Sequence, residues 1–287
     1  MDYAHPIIQH VADFAARAWW RIDFTWRLKR SKLYETTLTQ DLIYWVYENA
    51  SVHRLPFEIW ESRDEHANGD DLELAIETPR GYYLFPCQCK MVYAGNHYPT
   101  ISHTPDGGQP QLLSLMDFAA ANRGMAIYLL YNCCSDQHYL ARHWGNDLLA
   151  IPFWGCSVVP AAYLRDQHFH PVAGGSHGWT KPTFQELHPS IAVPFHEFIL
   201  TVMNDNRFTT NGWNYYVAGT EMQCFFHEKL FDDSKWKNLT PLARLSGIPQ
   251  VGTIPKIPTE AATEFRPGYR IVISSGSRRS GLWRNIG

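Results

Sequence analysis

The run Met125-Ala126-Ile127-Tyr128-Leu129-Leu130-Tyr131 constrains the fold more than any other part of the chain. An uninterrupted stretch of apolar and aromatic residues of this length is typical of a strand buried at the centre of a sheet. Helices on the faces of such a sheet complete the fold class. The sequence therefore predicts an α/β protein with a central mixed sheet flanked by helices.

Three helices are predicted in the first half of the chain. Apolar residues recur at helical spacing between Ile7 and Ile22, which indicates one packed helix. A second helix is expected to begin in the segment Glu35–Thr39, where a threonine precedes the apolar residues and can cap the first turn. A third covers Leu112–Ala119 and closes at Gly124.

The strands that accompany the central run are predicted just before it. Leu72–Ile76 alternates between apolar and other residues, residues 78–81 (Thr-Pro-Arg-Gly) have turn chemistry, and Tyr82–Val92 is rich in aromatic and branched residues. These features predict a β-hairpin, and an earlier strand is plausible around Leu55–Trp60. The predicted order is helix, strand, strand, helix, strand, with the earlier strand before the hairpin left open.

The pattern weakens after about residue 140, where Trp, His, Pro and Gly are scattered among short apolar pieces. No internal repeat or low-complexity linker divides the chain. We therefore predict a core over residues 1–140 and an elaboration or small companion domain of unknown role over residues 141–287.

The charge balance restricts the possible partners. A formal net charge of -3 argues against a broad positive coat, so any nucleic-acid site has to be local. Two short basic runs could contribute to one, and they are Arg27, Lys29, Arg30 and Lys32 after the first helix and Arg278, Arg279 and Arg284 near the end. No stretch has the apolar length of a membrane span, and we expect a cytoplasmic protein with reduced cysteines and no membrane partner.

Four polar side chains on the predicted hairpin can converge. Residues two apart on a strand share a face, so Asp71 accompanies Glu73, and Gln88 accompanies Lys90. A carboxylate, an amide oxygen and an ammonium on one face can hold a divalent cation beside a phosphate, and Mg²⁺ prefers such hard oxygen ligands. The Cys89 backbone carbonyl can add a further ligand, while Lys90 can orient the attacking water and neutralise developing charge.

The stretch from Gly69-Asp70-Asp71-Leu72-Glu73 to Gln88-Cys89-Lys90 resembles the PD-(D/E)xK, or restriction-endonuclease-like, nucleases. Glu35 on an upstream helix and a downstream helix with Gln109 and Gln111 belong to the same resemblance. It is closest to the variant with Gln in place of the usual acid, as in Mrr-like restriction enzymes and some Holliday-junction-resolvase relatives. Three phrases also look like an uncharacterised bacterial family of this superfamily: residues 35–39, residues 65–71 and Tyr131-Asn132. The resemblance covers residues 1–135.

This resemblance implies a metal-binding Asp71, a metal- or water-contacting Gln88, a catalytic Lys90 and a supporting acid at Glu35. It implies a core of helix, three strands, helix and strand, with Mg²⁺ as cofactor and Mn²⁺ as a substitute. The implied activity is hydrolysis of nucleic-acid phosphodiesters, DNA rather than RNA, by an enzyme that can act as a homodimer. By analogy alone, bacterial families of this kind serve in restriction or anti-phage defence.

Other interpretations of the same residues stay open from the sequence. Gln88 removes one negative charge from the metal site, so a catalytically inactive binding module that keeps the fold is the alternative function, and a hydrolase of small phosphate esters is a third. Lys90 could be a solvent-facing lysine, and Glu73 could be a second metal ligand or an outward strand residue. Zinc is a weaker alternative that would use the thiols of Cys87, Cys89, Cys133 and Cys134.

Overall fold

The computed structural model describes residues 4–28, 32–62, 72–104, 109–145, 147, 149–171, 177–204, 213, 222–230, 236–239 and 267–275. The helices in these ranges are α1 (Ala4–Leu28), α2 (Glu35–Ser51), α3 (Gln111–Ala121), α4 (Gln137–Trp144), α5 (Ala161–His168), α6 (Phe184–Leu187) and α7 (Phe195–Met203). The strands are β1 (Phe57–Ser62), β2 (Leu72–Thr78), β3 (Gly81–Met91), β4 (Ile127–Tyr131), β5 (Cys156–Pro160), β6 (Phe169–Pro171), β7 (His177–Trp179), β8 (Val193–Pro194), β9 (Trp236–Asn238) and β10 (Tyr269–Ile273).

Eight of the described strands form one mixed sheet in the order β8-β5-β4-β3-β2-β10-β1-β9. β3 runs parallel to β4 and β10 runs parallel to β2, whereas the other neighbours are antiparallel. The apolar run predicted as the central strand contains β4, and every residue of β4 is buried. The predicted α/β class with a mixed central sheet and flanking helices is therefore confirmed, as are the β2–β3 hairpin and the earlier strand, β1.

Helices pack on both faces of this sheet. Alternate residues of β3 project to opposite sides, so Phe85, Cys87 and Cys89 lie on one side and Gln88 and Lys90 on the other. We call these the Phe85 face and the Lys90 face. The two faces bury very different chemistry, since the first is apolar and the second carries the candidate site.

The Phe85 face is covered by α1, α2 and α7. The Phe85 ring meets Phe198 of α7 edge-on, with ring centroids 5.1 Å apart. Tyr131, which is paired in register with Met91 on this face, donates its hydroxyl to Thr39 of α2 at 3.2 Å. α1 packs along α7. α3 instead covers β3 from the Lys90 face.

The predicted first helix is confirmed as α1. Its apolar face, which includes Ile7, Val11, Phe14 and Trp19, is buried. Close approach to the rest of the protein is possible at Gly155, where an added Cβ would collide with the backbone of α1. Although α1 has 25 residues, neither it nor another described helix is apolar enough over a sufficient length to cross a membrane.

The predicted threonine cap of α2 is wrong. The helix begins at Glu35, and its N-cap residue is Tyr34, whose side chain makes no capping hydrogen bond. Thr39 instead donates its hydroxyl to the Glu35 carbonyl at 3.2 Å from inside the helix. Because the helix starts at Glu35 itself, this carboxylate stands in the first turn, where the helix dipole favours negative charge.

The chain after residue 140 contributes to the same sheet as the chain before it. β5 pairs with β4, and β10 lies between β1 and β2. The division into a core over 1–140 and an elaboration over 141–287 stays a prediction about folding units. The basic residues Arg278, Arg279 and Arg284 lie outside the described residues.

A buried polar network joins the end of β4 to β5 and α6. The Asn132 amide donates to Ser157 Oγ at 2.8 Å, and its oxygen accepts from the Tyr98 hydroxyl at 2.6 Å. His188 Nε2 lies 2.8 Å from Ser157 Oγ, and its Nδ1 lies 2.9 Å from the Phe184 carbonyl oxygen. Since a carbonyl only accepts, Nδ1 carries the proton, and Nε2 is left to accept.

The network should make folding sensitive to acid. Burial lowers the pKa of His188 to about 3, against about 6.5 in an unfolded chain. Between these values the unfolded state binds a proton that the folded state does not, so this contribution to stability is complete above about pH 6.5 and is lost as the pH falls. We expect the wild-type free energy of unfolding, measured with urea, to drop about 3 kcal/mol more than that of His188→Gln between pH 7 and pH 4. Parallel pH profiles for the two proteins would contradict this assignment.

Candidate functional site

The candidate site lies on the Lys90 face, at the end of β3 that is next to the end of β4. Gln88 and Lys90 are two residues apart on β3 and are paired in register with Tyr128 and Leu130. Both side chains are only 4% exposed. Lys90 is therefore not a solvent-facing lysine, and its charge needs partners inside the protein.

The Lys90 ammonium is held by the first residues of two helices. Its Nζ donates to Glu35 Oε1 at 3.4 Å and to Gln111 Oε1 at 3.3 Å. Glu35 opens α2 and Gln111 opens α3, so two helix N-termini meet at this lysine. Because α3 lies on the Lys90 face, the amide that the sequence placed on a downstream helix reaches the same point as the upstream acid.

Glu35 has further partners that fix its carboxylate. Its Oε2 accepts from the backbone N–H of Met91 at 3.2 Å and from the Thr100 hydroxyl at 3.4 Å. The carboxylate thus bridges the end of β3, the Lys90 side chain and the 3₁₀ turn that contains Thr100. A group held by these three bonds is suited to orienting Lys90.

Gln88 presents a buried acceptor without a donor. Its Oε1 is buried and has no hydrogen-bond partner among the described residues. Such an atom costs free energy unless a ligand satisfies it, so it is a candidate ligand atom for a cation or a water. A bound cation, or a water that donates to Oε1, would each account for this unpartnered acceptor.

The Cys89 thiol and the Cys89 carbonyl point to different places. The thiol is buried on the Phe85 face, 3.8 Å from the Tyr131 hydroxyl, and is remote in direction from Gln88 and Lys90. Backbone groups of residues two apart on a strand point to the same edge, so the Cys89 carbonyl faces the side where the Met91 N–H meets Glu35. The Cys89 carbonyl oxygen, and not its sulfur, is therefore the atom available to the candidate site.

Asp71 lies outside the described residues, as do Glu65 and Asp70. Asp71 directly precedes Leu72, whose Cα partner on β3 is Cys87, the neighbour of Gln88. Its membership of the site stays a prediction from the sequence and the resemblance.

Glu73 is on the Lys90 face, but its carboxylate is paired with an arginine. It is paired in register with Pro86, two residues from Gln88, and is completely buried. Arg270 of β10 forms an ion pair with its carboxylate. Burial raises the pKa of Glu73, and the Arg270 charge partly opposes that rise. Neither of the two sequence interpretations, metal ligand or outward residue, anticipated this pairing.

Arg270 is the feature that sequence reasoning missed. Its guanidinium carbon also lies 4.4 Å from the centre of the Trp236 ring of β9, a cation–π geometry. The short apolar run of β10 could have indicated a strand in the sequence, but it does not indicate that this strand pairs with β2. Arg270 therefore balances the Glu73 charge from the neighbouring strand, on the side of β2 away from β3.

The described residues contain no group of three or more His, Cys, Asp or Glu side chains that could hold a metal ion. The zinc alternative thus has no cluster in the described part of the chain. This absence does not bear on the ligand set predicted from the sequence. Asp71 lies outside the described residues, and the other two predicted ligands are the Gln88 amide oxygen and the Cys89 backbone carbonyl, which are not His, Cys, Asp or Glu side chains.

Comparison with known protein families finds a match for most of the chain. The profile of DUF6615, described as a family of unknown function, matches residues 8–251. The chain belongs to the DUF6615 family. No curated protein and no solved structure matches it.

The DUF6615 match divides the residues around the site into two groups. Glu35, Gln88, Lys90 and Gln111 fall within the matched range. Arg270 lies beyond its end. Lys90 and its partners Glu35 and Gln111 are therefore part of the DUF6615 region. Arg270, whose guanidinium pairs with Glu73, belongs to the segment after that region.

Proposed function

We propose that this chain is a divalent-cation-dependent nuclease with a restriction-endonuclease-like core, which hydrolyses phosphodiester bonds in DNA more readily than in RNA. The observation that carries the proposal is the buried Lys90 ammonium between Glu35 and Gln111, on the same sheet face as the unsatisfied Gln88 amide oxygen. The order α2-β1-β2-β3-α3-β4 supports it, because it matches the core that the resemblance implies.

The residues of the site can each act on a phosphodiester. Lys90 would neutralise charge on the phosphoryl oxygens as it develops and would orient the attacking water. Glu35 positions the ammonium and limits its movement through the Met91 and Thr100 contacts. Gln111 accepts from the same ammonium, so Lys90 keeps a defined direction when substrate displaces water.

The atoms available for a cation fit Mg²⁺ better than a soft metal. Gln88 Oε1 is a buried acceptor in need of a partner, and the Cys89 carbonyl faces the adjacent edge. With Asp71, which the sequence predicts beside them, they would form an oxygen-only set of the kind that Mg²⁺ and Mn²⁺ prefer. When bound, such a cation would supply Lewis-acid activation of water and charge neutralisation at the phosphate.

A catalytically inactive binding module is the second candidate function. It is favoured by the low charge of the site, since Gln88 is neutral and Glu73 is neutralised by Arg270. Such a module would bind nucleic acid or protein without cleaving it, and would bind divalent cations weakly.

Cleavage assays with the purified full chain test the proposal. We expect plasmid and single-stranded DNA to be cut in Mg²⁺ or Mn²⁺, to be spared in EDTA, and to be cut at least about a hundredfold more slowly by Asp71→Ala. Asp166→Ala is the matched control, because Asp166 is an exposed acid of α5 that pairs with its neighbour Arg165. Equal activity of Asp71→Ala and wild type would rule out this site, and binding without cleavage would favour the inactive module.

A further inference from the structure

The exposed face of α1 carries aromatic and basic side chains in one row. Six exposed side chains recur there at intervals of one or three residues, on one side of the helix, and we call them the α1 stripe: Arg17, Trp20, Arg21, Phe24, Arg27 and Leu28. Trp20 is 56% exposed and Phe24 is 62% exposed. Large apolar side chains grouped at a surface mark an interaction site more often than a packing defect.

The charge around the stripe selects the kind of partner. Among the described residues, the three arginines of the stripe face two acids, Asp23 and Asp41, so the stripe has a local excess of one positive charge although the whole chain has a net charge of -3. Lys29 and Arg30, which follow α1 in the sequence, lie outside the described residues. Asp23 is occupied by Arg27 at 2.8 Å, and Arg21 pairs with Asp41. The excess of positive charge around exposed aromatic rings is complementary to a polyanion.

The stripe contacts α2, the helix whose first residue is Glu35. Arg21 contacts Asp41 of α2, which is six residues from Glu35 and therefore about 9 Å away along the helix axis. α1 also contacts β4, the parallel neighbour of β3. Because α1 covers the Phe85 face and Lys90 lies on the opposite face, a chain bound along the stripe would reach Lys90 by passing the start of α2 and the ends of β3 and β4, where Glu35 meets Lys90.

The shape and chemistry of the stripe fit an unpaired strand. An open depression of about 460 Å³ is lined by Trp20, Arg21, Asp23, Phe24 and Arg27. Trp20 and Phe24 are one helical turn apart, about 6 Å along the axis, and the arginines lie between and beside them. Bases of a single strand can stack on the rings while its phosphates meet the arginines, whereas a duplex keeps its base faces hidden.

We infer that the α1 stripe binds single-stranded nucleic acid and leads it to the Lys90 site. The inference rests on the proposed function for the direction of the strand. Binding itself does not depend on catalysis, so the two can be tested separately.

The test measures binding of a fluorescein-labelled oligothymidylate to the full chain by anisotropy, in EDTA to prevent cleavage. We expect Trp20→Ala/Phe24→Ala to weaken binding about tenfold or more, because each stacked base is lost. Phe226→Ala is the matched control. Phe226 is 64% exposed, but it follows Phe225, which pairs with Tyr82 at the far end of β3 from Lys90. Its removal should leave the affinity unchanged.

Salt dependence separates phosphate contacts from stacking. Arg17→Gln/Arg27→Gln should lower the slope of log Kobs against log salt by about 0.7 for each lost contact, whereas Trp20→Ala/Phe24→Ala should leave the slope unchanged. A duplex of the same length should compete poorly. Tighter binding of the duplex than of the single strand would overturn the inference.

The remaining outcomes distinguish the inference from the proposed function. Unchanged oligonucleotide binding by Trp20→Ala/Phe24→Ala, with a shift from dimer to monomer in sedimentation, would mean that a second copy covers the stripe and the inference is wrong. If Mg²⁺-dependent cleavage is unchanged in these variants, the nuclease proposal is supported and the inference that the α1 stripe binds the strand is wrong. Stripe-dependent binding without cleavage would support the stripe and remove the nuclease proposal.

Discussion

Replacing Lys90 by methionine is expected to lower the rate of Mg²⁺-dependent DNA cleavage by about a hundredfold to a thousandfold. Loss of one preorganised donor that stabilises charge in a transition state has an effect of this size. Methionine keeps most of the buried side-chain volume and removes the ammonium that Glu35 and Gln111 hold. The measurement is the single-turnover rate of plasmid nicking at saturating protein.

A folding defect has to be separated from this loss. The urea midpoint of Lys90→Met and its affinity for oligonucleotide in EDTA should report a folded protein. Lys229→Ala serves as the control, since Lys229 is exposed and lies in the segment next to Tyr82, away from the site. Cleavage by folded Lys90→Met within about threefold of wild type, against the expected hundredfold, would remove Lys90 from the mechanism.

The elements that depend only on neighbouring residues in the sequence were the most predictable. β4 follows from its own run of apolar residues, because a strand buried on both faces leaves no polar position. The β2–β3 hairpin follows from turn chemistry at Thr78–Gly81, where Gly81 takes a φ of 149° and an added Cβ would lie 2.7 Å from the Phe225 carbonyl oxygen. Each of these signals is local, so one sequence is enough to find it.

The position of β10 could not be predicted in the same way. It inserts between β1 and β2, and its Arg270 meets Glu73 across 197 positions of the chain. The run Tyr-Arg-Ile-Val-Ile is a plausible strand, but its neighbours depend on closing a very long loop, for which adjacent residues carry no signal. The buried network of Asn132, Ser157 and His188 was missed for the same reason.

The candidate site was predictable in part. The two-residue spacing of Gln88 and Lys90 places them on one sheet face, as the alternation of a strand requires. That Glu35 lies beside Lys90 came only from the resemblance, since 55 positions separate them. The absence of a side-chain cap on α2 was not foreseen either, although it leaves Glu35 as the first helical residue.

Replacing Arg270 by methionine should destabilise the protein by about 3 to 5 kcal/mol, because it leaves a completely buried carboxylate without its cation. Glu73 has no other described partner that could take over that charge. The double variant Arg270→Met/Glu73→Leu removes both charges and should recover most of the loss. Urea unfolding of wild type, both single variants and the double variant gives the coupling energy.

The pH dependence of the Arg270→Met deficit identifies its cause. Without the guanidinium, burial alone acts on Glu73, so its pKa in the folded state lies above the unfolded value near 4.3. A folded state that holds its proton more tightly loses stability as the pH rises through this window, and regains it where both states are protonated. The deficit should therefore be largest near pH 7 and shrink toward pH 4. A deficit that is constant with pH, and that Glu73→Leu does not relieve, would mean that Arg270 acts through its packing on Trp236 and not through its charge.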